Sequence, residues 1–380
     1  MEALSADSGQ EVWATLGIVF ADLWEKALRN WRTWLYVGFS AFVALVCLAR
    51  PLSDDFDRYI YEALVRGKHE SVERIYPLIK HESPRAEASS VLDSAEHLAQ
   101  LEPLYAIRPL YIEIISIVNL WLPIQRSINL VSAFSLFGMA LVLAIWTKKP
   151  LYCALLVTTA AIVDIGRMGT PDALSALFVI AGFWLLERNQ IGHGILLLLA
   201  SVWVRTDNLL VVFAALVWLT LTRKTLPSYA ILLAAVSGAS VAFINHMAGN
   251  YGWLILLRYS FIGGKYPAQI VPRLSVREYV LAVLHGAVPM IPQVAPWMLL
   301  GLVAWRSRST DRALLLTIAS AAAAHFALFP SPEGRYFVWA YLLVGAAFIR
   351  AVTRESKLPS YPGRQVESLR VRKAFLRAQG

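Results

Sequence analysis

Three carboxylates fall within four residues at Asp54, Asp55 and Asp57, in the run Ser53-Asp54-Asp55-Phe56-Asp57-Arg58-Tyr59. A carboxylate placed there can take a proton from a hydroxyl as general base, and two adjacent ones suit a divalent cation, Mg2+ or Mn2+. Basic residues recur in distant polar stretches. Arg108 precedes Pro109-Leu110-Tyr111; Arg167 and Asp172 flank Met168-Gly169-Thr170-Pro171; Arg205 precedes Thr206-Asp207; Arg335 precedes Tyr336; Arg258 and Lys265 share a loop. Guanidinium groups make forked, charge-assisted hydrogen bonds to phosphate and stabilise charge on a leaving group. Each feature also has a plainer reading. Asp54 and Asp55 suit a helix start after a Ser53 N-cap, and Asp172 suits a first turn after Pro171. Arg167–Asp172 and Arg205–Asp207 suit ion pairs that seal turns, and Arg335-Tyr336 suits an interface anchor.

The elements that carry these residues are read from the apolar runs. The chain has 380 residues, 57% hydrophobic and only 16% charged, and the apolar residues come in long runs. That pattern belongs to an all-α polytopic membrane protein. The net charge of +9 does not point to nucleic acid, because the basic residues gather in short turns and in the tail, as the positive-inside rule expects. Cys47 and Cys153 lie inside apolar runs and read as small buried hydrophobes. His246, His285 and His325 show no metal-ligand spacing.

Residues 1–32 read as a cytoplasmic amphipathic segment rather than a cleavable signal, with Val12, Leu16, Val19, Phe20, Leu23 and Leu28 at helical spacing. The transmembrane domain spans 33–350 and a basic cytoplasmic tail covers 351–380. The first span runs 33–49, and 51–107 forms the first outer loop, with an amphipathic helix placing Phe56, Tyr59, Ile60, Ala63 and Leu64 on one face and a second helix over 86–101. Residues 109–122 are short for a crossing and read as an interfacial helix. Further spans are expected at 127–146, 150–165, 173–187, 191–204, 208–222, 228–245, 279–305, 313–329 and 336–350, with 279–305 kinked or broken by Pro289, Pro292 and Pro296. About ten spans result, with both termini cytoplasmic. A later outer loop covers 246–278. On this count Lys148, Lys149, Arg188, Arg223, Lys224, Arg306 and Arg312 face inward, and every polar stretch of the opening paragraph faces outward.

Chemistry on the outer face needs an activated group carried by a lipid, and the chain has no phosphate-binding glycine loop or dinucleotide fingerprint. A polyprenyl-phosphate sugar is such a donor. One displacement with one base inverts the sugar carbon. The residues here resemble the GT-C glycosyltransferases. Asp54-Asp55-Phe56-Asp57-Arg58-Tyr59 is similar to their acidic first-loop motif, and Arg108-Pro109-Leu110-Tyr111 to the segment opening a periplasmic helix. Arg167 to Leu174 resembles the Arg…Pro-Asp-Ala-Leu turn of the aminoarabinose- and mannosyl-transferase branch, and Glu333-Gly334-Arg335-Tyr336 the Arg-Tyr turn before the last spans.

The resemblance implies a GT-C-like fold and a catalytic aspartate, Asp55 or Asp54, with Asp54 orienting the base or helping hold the cation. Arg167, Arg205 and Arg335 are the foremost phosphate-binding candidates, followed by Arg108, Arg258, Lys265, Asp172, Tyr59 and Tyr336. It further implies a polyprenyl-phosphate-linked sugar donor, a lipid or glycan acceptor, and the bacterial inner membrane with a periplasmic active site. The chain carries Asp-Asp where the family often has Asp-Glu. A flippase for an anionic lipid-linked substrate, which would need polar residues at mid-membrane, and a non-catalytic envelope scaffold are the rival classes.

Overall fold

The chain folds as a bundle of helices whose polar turns gather at one end, and the structure, a computed structural model, describes residues 31–49, 56–82, 92–264, 266–307 and 312–355, with side chains to 353. The amphipathic reading of 1–32, the helical start at Asp54-Asp55, Lys265 and the tail beyond 355 lie outside the described residues. Every regular element among the described residues is helical.

Among the described residues, five helices are long and apolar enough to cross a bilayer: Trp31–Ala49, Ile124–Thr147, Pro227–Met247, Val276–Arg306 and Gly334–Thr353. The first, α1 (Trp31–Ala49), has 19 residues, about 28 Å at 1.5 Å per residue. It leaves Trp31, Leu35, Phe42 and Leu45 on its outside. Pro227–Met247 leaves Ile231, Leu232 and Phe243 outward, and Val276–Arg306 leaves Val288, Ile291, Met298 and Leu299 outward. Water would not tolerate so much contiguous apolar surface; hydrocarbon does.

Among the described residues, four short helices follow α1: α2 (Phe56–Arg66), α3 (Val72–Glu82), α4 (Ala95–Tyr105) and α5 (Pro109–Asn119). They enclose a core of their own, with Tyr59, Ile60, Leu98, Leu101, Tyr111 and Ile115 inside it. The expected apolar face of α2 is there, but its polar face is buried as well: Asp57, Arg58 and Glu62 are covered. Of the helix expected at 86–101, residues 86–91 lie outside the described residues; a helix begins at Ala95, where Ser94 caps it by accepting from the His97 N–H at 3.0 Å. Helix α5 has 11 residues, too short to cross. Its Glu113 meets Lys68 at 2.7 Å on the surface.

The central bundle follows: α6 (Ile124–Thr147), α7 (Pro150–Val157), α8 (Ala160–Ile165), α9 (Asp172–Glu187), α10 (Ile191–Val204) and α11 (Leu209–Leu221). The expected span 150–165 is two short helices, interrupted at Thr158-Thr159. Helices α9 and α10 touch backbone to backbone: a Cβ on Gly194 would stand 2.9 Å from the Gly182 carbonyl oxygen. Cys47 and Cys153 are buried and unlinked.

The last elements are α12 (Pro227–Met247), α13 (Trp253–Leu257) with one π turn after it, α14 (Val276–Arg306), α15 (Arg312–Leu328) and α16 (Val338–Glu355). A capping box starts α14: Ser275 Oγ accepts from the Glu278 N–H at 3.2 Å, and Glu278 accepts from the Ser275 N–H at 2.9 Å. The helix then runs for 31 residues through Pro289, Pro292 and Pro296, so of the expected kink or break there is no break. Inside it, Gln293 Nε2 donates to the Pro289 carbonyl at 3.1 Å and to the Pro332 carbonyl at 2.9 Å, tying the helix to the turn before α16.

The ends of the bundle differ. At one end Glu187 accepts from Trp146 at 2.9 Å and pairs with Arg350, beside the basic turns. At the other end the turn before α16 meets helix α2 through Arg335 and Asp57, and the turn after α10 meets the start of α9 through Arg205 and Asp172.

Candidate functional site

The site grows from Asp57 in the first turn of α2. Its carboxylate accepts from Arg335 Nη2 at 2.9 Å and from the Tyr105 hydroxyl. Burial, and then the Asp57 charge, push the Tyr105 hydroxyl well above its usual range, so it remains a donor. Arg335 sits in the tight turn Gly334–Phe337 ahead of α16, paired also with Glu333 and in contact with Met168 Sδ at 3.9 Å. One acid from the first loop, one tyrosine from α4 and one arginine from the last turn thus close a single knot.

Tyr336 links this knot to a second one. Its ring lies between two guanidinium groups, Arg205 at 4.7 Å and Arg335 at 5.0 Å from the centroid. Arg205 pairs with Asp172 at the start of α9 and forks onto Asp207. Thr170 donates to Asp172 at 2.6 Å, and His325 Nε2 lies 3.0 Å from Asp207. Gly169, at φ 67°, lets the chain turn between Arg167 and Asp172. Asn208 ties the turn down, donating to Ser175 Oγ at 2.7 Å and the Ser201 carbonyl at 2.9 Å.

In front of the first knot is a cavity of about 570 Å³. Asp57, Tyr105, His97, Tyr259, Glu333 and Arg335 contribute to its walls, and His285, Gly286 and Pro330 close another side. Gly286 is required there: a Cβ would stand 2.1 Å from the Pro330 carbonyl oxygen. His97, 1% exposed, places Nδ1 3.0 Å from Asp93 Oδ1, while its Nε2 is buried without a hydrogen-bond partner.

The expected site residues divide into groups. Arg205, Asp172, Arg335 and Tyr336 come together. Arg108 caps α5 nearby, its guanidinium over Tyr61 and Tyr105 at 5.7 and 5.2 Å. Arg167 does not pair with Asp172; Arg205 takes that carboxylate, and the Arg167 Nε is buried without a hydrogen-bond partner. Arg258 is engaged by Glu278 at 3.3 Å and by the Arg273 carbonyl, away from the knots. Tyr59 does not reach the cavity: it is 1% exposed in the core of the short helices, with the Arg58 guanidinium 4.4 Å over its ring. Among the described residues no three metal-ligating side chains gather, and Asp54 and Asp55 lie outside those residues, as does Lys265.

Sequence reasoning missed Tyr105, His97, Asp93 and Tyr259. The available signal was Asp93 four residues before His97, just ahead of the Ser94 cap. No protein-family model, curated protein or solved structure matches this chain.

Proposed function

We infer that this protein is an integral-membrane, inverting glycosyltransferase of GT-C type, using a polyprenyl-phosphate sugar as donor and a lipid or glycan as acceptor. The observation that carries this reading is the Asp57–Arg335 pair at the wall of the cavity, immediately after Asp54-Asp55 in the chain. A buried carboxylate–arginine pair next to a cavity and to apolar helices suits a ligand with a phosphate head and a hydrocarbon tail.

On this reading the bundle has about ten crossings, the shorter helices being completed by neighbouring turns, and both termini are cytoplasmic. The end bearing Asp57 and Arg335 faces the periplasm of a bacterial inner membrane. Arg335 receives the donor phosphate, which displaces Glu333, a side chain 47% exposed and therefore inexpensive to move. Tyr336 and Arg205 keep Arg335 in place from behind. Asp55, or Asp54, takes the proton of the acceptor hydroxyl while that oxygen bonds to the sugar carbon. The bond from that carbon to the phosphate oxygen breaks, and its electron pair leaves on the phosphate.

The test is transfer itself. The protein, purified into lipid nanodiscs, is incubated with labelled undecaprenyl-phosphate sugars and envelope lipid acceptors. Labelled sugar should pass to an acceptor with inverted configuration, and Asp55→Asn or Asp54→Asn should lower the rate by about 10²–10⁴-fold without unfolding the protein. Absence of transfer from every donor, or full activity in both variants, would overturn the assignment. Lipid-linked substrate crossing the bilayer unchanged would favour the flippase class instead.

A further inference from the structure

One wall of the cavity holds polar machinery that the transfer step leaves unused. His97 stands on α4, almost wholly buried, and lines the cavity. Its Nδ1 is 3.0 Å from Oδ1 of Asp93, which lies just before the Ser94 cap of that helix. A carboxylate only accepts hydrogen bonds, so Nδ1 carries the proton, and in the neutral ring Nε2 presents a lone pair.

The orientation is enforced from both sides. The Tyr266 hydroxyl donates to the other Asp93 oxygen at 3.2 Å, and the Tyr266 ring lies 4.7 Å from the imidazole. The segment carrying Tyr266 is tied to the same helix, because the Ala268 N–H donates to Gln100 at 3.3 Å. Asp93 and Tyr266 therefore fix one ring, yet its Nε2 is buried and has no hydrogen-bond partner. A buried polar atom without a partner loses its hydration with no return, and native proteins seldom keep one unless a ligand or water meets it. A histidine serving packing alone would have no need of an orienting carboxylate, and the unpartnered nitrogen belongs to a residue that lines the cavity.

We propose that His97, oriented by Asp93 and Tyr266, is the sugar-recognition residue of the cavity: Nε2 accepts a hydrogen bond from a ring hydroxyl of the lipid-linked sugar. This rests on the glycosyl-donor reading for its ligand class, but not on any assignment of the catalytic base. His97 discriminates the sugar-bearing lipid from the bare lipid phosphate, which Arg335 meets in both cases. Loss of a hydrogen bond that leaves a buried partner unpaired produces large discrimination, as in sites built to read a hydroxyl.

Binding of two probes, undecaprenyl-phosphate mannose and undecaprenyl phosphate, to the full-length protein in nanodiscs tests this. The wild type should hold the mannose lipid at least about 10-fold more tightly than the bare lipid phosphate. His97→Phe should remove that preference and leave the bare lipid within about 2-fold, while His97→Gln, which keeps an acceptor oxygen, should restore part of it. Diethyl pyrocarbonate labelling read by mass spectrometry supplies an independent readout. His97 should be modified despite its burial, and mannose lipid should protect it better than bare lipid. A wild type with no preference for the sugar lipid, a preference untouched in His97→Phe, or a His97 that resists the reagent while exposed His193 reacts would each overturn the proposal. Preferential binding that depends on His97, without sugar transfer to any acceptor, would instead overturn the transferase reading and leave the recognition site standing.

Discussion

Arg335 Nη2 donates to Asp57 Oδ2 at 2.9 Å across a separation of 278 residues. The pair joins the first turn of α2 to the turn ahead of α16, and both side chains are almost out of solvent, at 12% and 7% exposed. Breaking such a pair leaves a charge buried beside the wrong neighbours. Asp57→Asn or Arg335→Gln should each cost about 3–5 kcal/mol, read as the midpoint of chemical unfolding in detergent. The double variant should lose less than the two combined, by about 1–3 kcal/mol. Strict additivity would mean that the two groups do not interact in the folded protein.

Arg205 tests whether geometry or charge holds the second knot. Its guanidinium forks onto Asp207, pairs with Asp172 and stacks on Tyr336 at 4.7 Å. A lysine keeps the charge but has neither the planar fork nor the stacking face. Arg205→Lys should therefore behave much like Arg205→Gln, with at least about 10-fold lower transfer and a destabilised fold, because the cost of unpaired carboxylates remains. A lysine variant with wild-type transfer and melting temperature would show that charge alone suffices.

Gly286 and Pro330 meet where α14 passes the turn between α15 and α16. A Cβ at position 286 would stand 2.1 Å from the Pro330 carbonyl oxygen, and backbone cannot move aside as a side chain can. Gly286→Ala should destabilise by about 1–3 kcal/mol by overpacking, despite the better helix propensity of alanine. Gly238, whose added Cβ would meet nothing within 4 Å, is the control and should accept alanine without loss. Equal melting temperatures for the two variants would remove the close approach.

Glu62 makes the short-helix core sensitive to pH. It is fully buried on α2, 2.6 Å from Arg66, which also meets Glu82 at 3.1 Å. Burial, then the neighbouring Glu82 carboxyl, raise the Glu62 carboxyl to about 7 from its usual 4.5. A raised acid is protonated more readily when folded than when unfolded. Its contribution is complete below pH 4.5 and is lost as pH climbs to about 7, with a slope of at most about 1.4 kcal/mol per pH unit. The lowered Glu82 opposes this below pH 4.5, leaving the 4.5–7 window to Glu62. Glu62→Gln should flatten stability across that window and protect 56–82 from hydrogen exchange at pH 8 relative to wild type. An unchanged pH profile would place the proton elsewhere.

How much of this was legible beforehand follows from the range of the interactions. Apolar run length, charge sign in turns, the Ser275/Glu278 cap and the proline at the start of α5 are local properties, so the all-helical, membrane-suited class and the grouping of Arg205, Asp172, Arg335 and Tyr336 at one end could be read from the chain. Which acid meets which arginine could not. Successive helical residues point about 100° apart, so a shift of one position redirects a side chain to another neighbour. That is why Asp172 went to Arg205 and not to Arg167, and why Tyr59, apparently beside the acids, turned into the core while Asp57 reached Arg335. The cavity, its His97–Asp93 wall and the close pass of Gly286 at Pro330 arise only when α2, α4, α14 and the turn before α16 are packed together. The sequence alone determined which side chains could serve; tertiary packing decided which of them share a volume, because pairing depends on the register and rotation of helices far apart in the chain.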